Sequence, residues 1–315
     1  MTPSGGPEAP EAQHPQQPVT FTESVQPAPV HTFAGLLDDG LPTPEAGDPL
    51  PPLWHWVALP RWPAAGAVGP DGHPEHVVPR HPPGFPRRMF AGGTVRLVAP
   101  LHVGATVHRT VRVLSQTRKS GRQGEFMLVT VETRLTGTDG HLAVLETQDI
   151  IYRRAAEPGA TTALGATAAP GAAAAGAREP LPQPDPVSRL LERAGDGTWR
   201  FRTDPRLLTR FSAATANGHR IHYDWPYATG VEGYPGLVVH GPLMTLALLE
   251  TVRLWEPERQ LRVVEHRNHW PLFCGQTAEI SSVAGPETTS TLTMSSPGVD
   301  GEPVVHTTVR VEYGP

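Results

Sequence analysis

Between residues 155 and 186 the chain holds almost no side chain able to fill a core. It runs Ala-Ala-Glu-Pro-Gly-Ala-Thr-Thr-Ala-Leu-Gly and onward to Pro-Gln-Pro-Asp-Pro. Ordering such a segment costs more conformational entropy than its few apolar groups can repay, so it reads as a linker. It divides the 315 residues into an N-terminal unit at 21–154 and a C-terminal unit at 187–315. Residues 1–20, rich in Pro, Glu, Gln and Gly, read as a disordered tail.

Both units repeat one order of patterns. In the first, Thr32–Leu37 and Leu53–Leu59 are helix candidates, the latter set after Pro51-Pro52. Extended candidates follow at Thr94–Ala99, Thr106–Ser115, Glu125–Leu135 and Leu142–Tyr152. Thr130, Glu132 and Arg134 alternate with Val129, Val131 and Thr133, the period of a strand with one buried face. In the second unit, Pro205–Ala213 has Asp204 as N-cap and proline at the first helical position. Pro242–Trp255 carries Leu243, Leu246, Ala247, Leu249 and Leu254 along one side. Extended runs then come at Leu261–His269, Gln276–Val283, Thr288–Ser295 and Val304–Tyr313. Each unit is thus expected to hold one long helix and about four antiparallel strands, an α+β class. A curved antiparallel sheet wrapped around the helix buries it economically. That is the hotdog architecture, and two copies predict a double hotdog.

Composition narrows the function. The net charge is −5 and no basic stripe stands out, which argues against nucleic acid as a partner. Cys274 is the only cysteine, so no intrachain disulfide or cysteine zinc site can form. The N-terminus lacks the basic start and apolar run of a secretory signal, and no stretch suits a membrane span. The expected location is the cytoplasm.

The densest chemistry lies in Phe211-Ser-Ala-Ala-Thr-Ala-Asn-Gly-His-Arg-Ile-His-Tyr-Asp224 and in Val239-His-Gly-Pro242, just before the apolar helix. Histidine handles protons near neutral pH. The N–H of Gly241, at a helix entrance, has no intrahelical partner and sits at the positive end of the dipole. Such a combination suits hydration of an enoyl thioester, in which water loses a proton and the thioester oxygen gathers charge. Each residue also has a plainer use. Asn217 suits a helix C-cap, Asp224 suits the start of a turn, and His240 suits packing. His219, His222 and Asp224 lack the spacing of a zinc signature, and no metal is expected.

Phe211–Asp224 resembles the motif of the MaoC-like, or hydratase 2, family, whose active site is lined by an acidic residue, an Asn and a His. The first unit looks like the FAS1-like dehydratase domain that precedes it in a subset of these proteins. The stretches that carry this are Leu50-Pro-Pro-Leu-Trp-His-Trp56, Asp71-Gly-His-Pro74, Pro86-Arg-Arg-Met-Phe-Ala-Gly-Gly93, Pro100-Leu-His-Val-Gly104, Lys119-Ser-Gly-Arg122, Gln148-Asp-Ile-Ile-Tyr152 and Gly236-Leu-Val-Val-His-Gly-Pro242. In this order they resemble the group of mesaconyl-C4-CoA hydratases, itaconyl-CoA hydratases and mitochondrial-type 3-hydroxyacyl-thioester dehydratases. The likeness covers about residues 20–315 apart from the linker.

The resemblance places the family's catalytic His on His222, its usual Asp on Asn217 and its usual Asn on His219. An amide stands where a carboxylate is usual, and an amide cannot take up a proton. The resemblance implies a hydro-lyase with His222 as base in hydration and acid in dehydration. Asn217 then orients water, His219 shares proton handling or fixes His222, and Gly241 donates to the thioester oxygen. Arg87, Arg88 and Arg96 are candidates for the coenzyme A phosphates or a substrate carboxylate. The first unit, without an Asn-x-His-x-x-His stretch, is expected to be non-catalytic and to lend a wall.

The expected substrate is an enoyl thioester of coenzyme A, of mesaconyl-C4-CoA type, with no further cofactor. A 3-hydroxyacyl-CoA or carrier-protein dehydratase is the alternative, with acyl carrier protein as partner. An inactive thioester-binding protein is a third reading, motivated by Asn217. A homodimer is expected from the family, although two paired units make a monomer feasible.

Overall fold

A computed structural model describes residues 17–75, 78–121, 124–154, 186–286, 288–298 and 301–314. The expected tail up to residue 16 and the expected linker up to residue 185 lie outside the described residues. In the first half, β1 (Val19–Ser24), α1 (Pro27–Leu37) and the single turn α2 (His55–Ala58) precede four long strands. These are β2 (Arg87–Leu97), β3 (Thr106–Gly121), β4 (Gly124–Gly137) and β5 (Leu142–Arg153). The second half runs β6 (Leu191–Gly195), β7 (Thr198–Phe201), α3 (Pro205–Ala214) and α4 (Gly241–Trp255). It ends with β8 (Leu261–Asn268), β9 (Ala278–Ala284), β10 (Thr289–Pro297) and β11 (Pro303–Tyr313).

All eleven strands form one antiparallel sheet in the order β1-β3-β4-β5-β2-β8-β11-β10-β9-β7-β6. The order reads alike outward from the centre in both directions. β2 and β8 meet with Val95 opposite Val264, and each half then adds its strands in the same sequence, β6 being extra. The duplicated pattern of the chain thus becomes a double hotdog joined edge to edge. One apolar cluster runs through both halves, from Val25 and Phe33 to Val309 and Tyr313.

Helix α4 fills the second half. Every residue from Leu243 to Val252 is buried, more than the single apolar side read from sequence, because strands β10, β11 and β2 close around it. Asp204 caps α3 by accepting from Leu207 N at 2.9 Å, a contact worth about 1 kcal/mol.

Three expectations need correction. Among the described residues the first half has no long central helix: a left-handed Leu53, φ 62°, bounds the start of α2 and Pro60 follows Leu59 at its end, leaving one turn. Val19 and Thr20 belong to β1, not to a tail. They pair with Val111 and Thr110 and cover what would otherwise be an open sheet edge. The short strands β6 and β7 were not expected at all. Among the described residues, no helix is long and apolar enough to cross a membrane.

Candidate active site

The motif at 211–224 is folded tightly. α3 stops at Ala214, and Ala216 turns the chain with φ of 52°. Asn217 N then bonds to Ser212 O at 2.9 Å. The Asn217 side chain accepts from His219 N at 3.1 Å, so its amide oxygen is engaged and its NH2 group remains a donor. A short 3-10 turn, Arg220–His222, follows. Asn217, His219, Ile221 and His222 all line one cavity of about 540 Å3, together with Gly241.

His222 is fixed on two sides. Its Nδ1 donates to Val238 O at 2.7 Å, which leaves the lone pair on Nε2. Its ring stacks on His240 at 3.6 Å. His240 is fully buried, shares a hydrogen bond with Ser212 Oγ at 2.8 Å and packs on Phe211. That is the packing place expected of it.

The first half delivers a second pair of titratable groups to the same spot. His73 Nδ1 lies 3.1 Å from Asp71 Oδ2, and Asp71 Oδ1 accepts from His73 N. The His73 ring is 4.3 Å from that of His219, which in turn stands 5.5 Å from His222. Four imidazoles therefore form a row: His73, His219, His222, His240. Arg88 Nη1 lies 3.3 Å from His73 Nε2. Arg220 ties the two loops together: its N–H bonds to Asp71 O at 2.9 Å and its Nη1 to Pro70 O at 3.0 Å. Asp224 holds that guanidinium at 2.8 Å and accepts from Tyr227 N, a positioning and turn-starting role.

Burial governs the charges. Desolvation pushes His222 down to about 3 and His219 and His240 well below the usual imidazole range, so these rings are neutral at pH 7. Desolvation also lowers His73, against the opposing hydrogen bond from Asp71. For Asp71, burial raises the pKa, but the His73 side-chain and backbone hydrogen bonds outweigh it and the net shift is downward.

Gly241 is the first residue of α4 and lines the cavity. A Cβ there would meet Asn268 Nδ2 at 2.7 Å and Phe90 Cδ1 at 3.0 Å, so a larger residue would have to displace Asn268. Asn268 is itself locked by Phe90 O and Thr307 Oγ1.

Of the three expected arginines, the structure brings only Arg88 to the cavity. Arg87 is half-buried in an ion pair with Glu232 at 2.6 Å and serves to join the halves. Arg96 is exposed on β2 and outside the cavity lining, because the bulge between Phe90 and Gly92 reverses the alternation that would otherwise put it on the face of Arg88. Arg109 and Arg153 line the cavity and were not expected there. Asp71 and His73 were also missed as site residues, although Asp71-Gly-His-Pro74 stood out in the sequence. Trp54 packs in the core against Phe33, while Trp56 lines the cavity and donates to Glu146 at 3.0 Å.

Asp71, His73 and His219 offer atoms within 4.8 Å of one another, near enough for a cation. Both ring nitrogens of His73 are already engaged, however, by Asp71 and by the positive Arg88.

A family profile for hydroxyacyl-thioester dehydratase type 2 matches residues 53–274. The mesaconyl-C4-CoA hydratase of Chloroflexus aurantiacus is 39% identical over 282 residues, covering 88% of this chain and 89% of that protein. The MaoC-like dehydratase from Phytophthora capsici superposes with a TM-score of 0.60 at 16% identity, covering 95% of each chain. A Mycobacterium tuberculosis protein described as a double hotdog superposes with a TM-score of 0.50 at 14% identity, covering 95% of this chain and 97% of that one. The matched profile and the near full-length relative place this chain in the hydroxyacyl-thioester dehydratase type 2 family of hydro-lyases.

Proposed function

We propose that the protein adds water reversibly to an α,β-unsaturated acyl-CoA whose β-carbon carries a carboxylate, as in mesaconyl-C4-CoA. The observation that carries the substrate class is Arg88 at 3.3 Å from His73. In a mesaconyl-type acyl group the carboxylate is attached to the carbon that receives the hydroxyl. Its receptor must then stand beside the proton-handling groups and not at the far end of a tunnel. Arg88 stands there, and a guanidinium grips a carboxylate bidentately. The 39% identity to a mesaconyl-C4-CoA hydratase supports the same class.

In this reading the Nε2 of His222 accepts a hydrogen bond from the attacking water, and the Asn217 NH2 donates to the water oxygen. The proton that water gives up passes into the histidine row through His219 or its neighbours. The Gly241 N–H, at the positive helix end, holds the charge on the thioester oxygen, a role worth about 3–4 kcal/mol. The carrier is part of the substrate, and no other group is required.

A 3-hydroxyacyl chain on coenzyme A or carrier protein is the second reading. It is favoured by Val111, Val131, Leu135 and Ile150, which line another part of the cavity and suit an alkyl chain. Loss of conjugated-thioester absorbance separates the two. Mesaconyl-C4-CoA should be hydrated faster than crotonyl-CoA or a medium-chain enoyl-CoA; faster turnover of the medium chain would favour the second reading. Binding of all three without turnover would mean an inactive thioester binder.

A further inference from the structure

We propose that His73 is the catalytic base of the hydration, that Asp71 is its positioning carboxylate, and that Arg88 masks the pair until a substrate carboxylate draws the guanidinium away. The proposal rests on the hydratase reading and names the acceptor that the reading leaves open.

The starting point is Asn217. It occupies the place where the family resemblance puts a carboxylate, and its oxygen is taken by His219 N. Its amide accepts no proton. Glu146 also lines the cavity, but His55 at 3.2 Å, Trp56 at 3.0 Å and Gln148 at 2.5 Å all point at its oxygens. Asp71 is the carboxylate joined to an imidazole that touches the motif.

Hydrogen-bond logic assigns the tautomer. Arg88 can only donate, so the His73 Nε2 facing it carries a lone pair. Nδ1 then carries the proton and donates it to Asp71. This is the arrangement in which a carboxylate stabilises an imidazolium once it forms. His222 differs: its Nδ1–H rests on the neutral Val238 carbonyl, which does far less for a developing positive charge. His73 is thus the better proton acceptor of the two, and His222 the better water holder.

The fold fixes this dyad from outside the motif. Gly72, between the two residues, packs on Gly218, and the Arg220 bonds to Pro70 O and Asp71 O lock the loop. Arg88 occupies Nε2. A substrate carboxylate competes for that guanidinium and frees the nitrogen at the moment the acyl group is bound.

The step balances with water alone. The water oxygen bonds to the β-carbon as one O–H breaks, and that proton goes to His73 Nε2. The π pair of the double bond shifts to join the α-carbon to the carbonyl carbon, and the carbonyl π pair moves onto the thioester oxygen opposite Gly241. The His73 imidazolium then returns the proton to the α-carbon as the carbonyl reforms. The reverse sequence is the dehydration.

The test compares wild type, Asp71→Asn, Asp71→Glu, His73→Asn and the Asp71→Asn/His73→Asn double variant on mesaconyl-C4-CoA. Asp71→Asn should lower kcat about 100-fold with KM changed less than about threefold, in the range of general-base catalysis. Its kcat profile should show the acid limb moved to lower pH, since the imidazolium has lost its anion. The groups facing His73 are Asp71, Arg88, His81 and His219, and only the first is altered. Asp71→Glu should recover part of kcat, and the double variant should be no slower than His73→Asn. A folded Asp71→Asn or His73→Asn enzyme within about threefold of wild type overturns the dyad, as do an unmoved acid limb or additive losses. A wild type that hydrates no enoyl thioester overturns instead the hydratase reading beneath it.

Discussion

Gly72 and Gly218 lie backbone to backbone across the two halves of the molecule: a Cβ built on Gly72 would come within 1.7 Å of Gly218 O. Gly72 also has φ of 92°, a region that side chains disfavour. Neither obstacle can be relieved by turning a side chain. Gly72→Ala should therefore displace the loop bearing Asp71 and His73. Turnover is expected to fall about 100-fold, the usual effect of an ångström-scale misplacement. Steady-state kinetics with circular dichroism checks this; an alanine variant with unchanged kcat would show that the close approach does not set the site.

His222→Ala should lower turnover by about 100-fold or more while the fold survives, because the attacking water loses its ring acceptor. The measurement is kcat on mesaconyl-C4-CoA beside a thermal melt. Near-normal hydration by a folded variant would remove His222 from the site.

Arg88→Gln should change substrate preference. The ratio of kcat/KM for mesaconyl-C4-CoA to that for crotonyl-CoA is expected to drop about 10- to 100-fold, the value of a charge-assisted hydrogen bond. An unchanged ratio would place the substrate carboxylate elsewhere.

Stability should fall in mild acid. Burial lowers His222 to about 3 and His266 to about 4, against 6.5 for free imidazole. The unfolded chain therefore takes up protons below pH 6.5 that the folded chain refuses. The histidine contribution is fully present above pH 6.5 and is lost as pH falls toward about 4 for His266 and about 3 for His222. His266 is buried against Phe90 and Trp56, and no described group bonds either ring nitrogen. His266→Phe should raise stability by about 1–3 kcal/mol and flatten the acid decline. Urea unfolding at several pH values measures both; a steeper acid decline in the variant would contradict the sign.

The repeat of helix and strands was legible because strand periodicity and helix caps are local signals. Asp204, Pro205 and the apolar positions of α4 announce their elements without reference to the rest of the chain. The length of the first half's helix is not legible in composition, because Leu53–Leu59 has the composition of a helix. Its length is limited by a left-handed Leu53 and by Pro60. The arginines show the same limit. Arg87 and Arg88 are neighbours in sequence, yet a strand sends them to opposite sides, one to Glu232 and one to the cavity.

What the chain determined alone was the double-hotdog pattern and the cluster of Asn217, His219, His222 and Gly241. Those follow from spacing within short segments. What only the tertiary structure decided was the company they keep. Pro70 and Arg220, 150 residues apart, are in contact. That contact sets Asp71 and His73 against the motif that holds Asn217, His219 and His222. Such a meeting depends on the pairing of β2 with β8 and on two glycines thin enough to let backbones touch, and no local pattern encodes it.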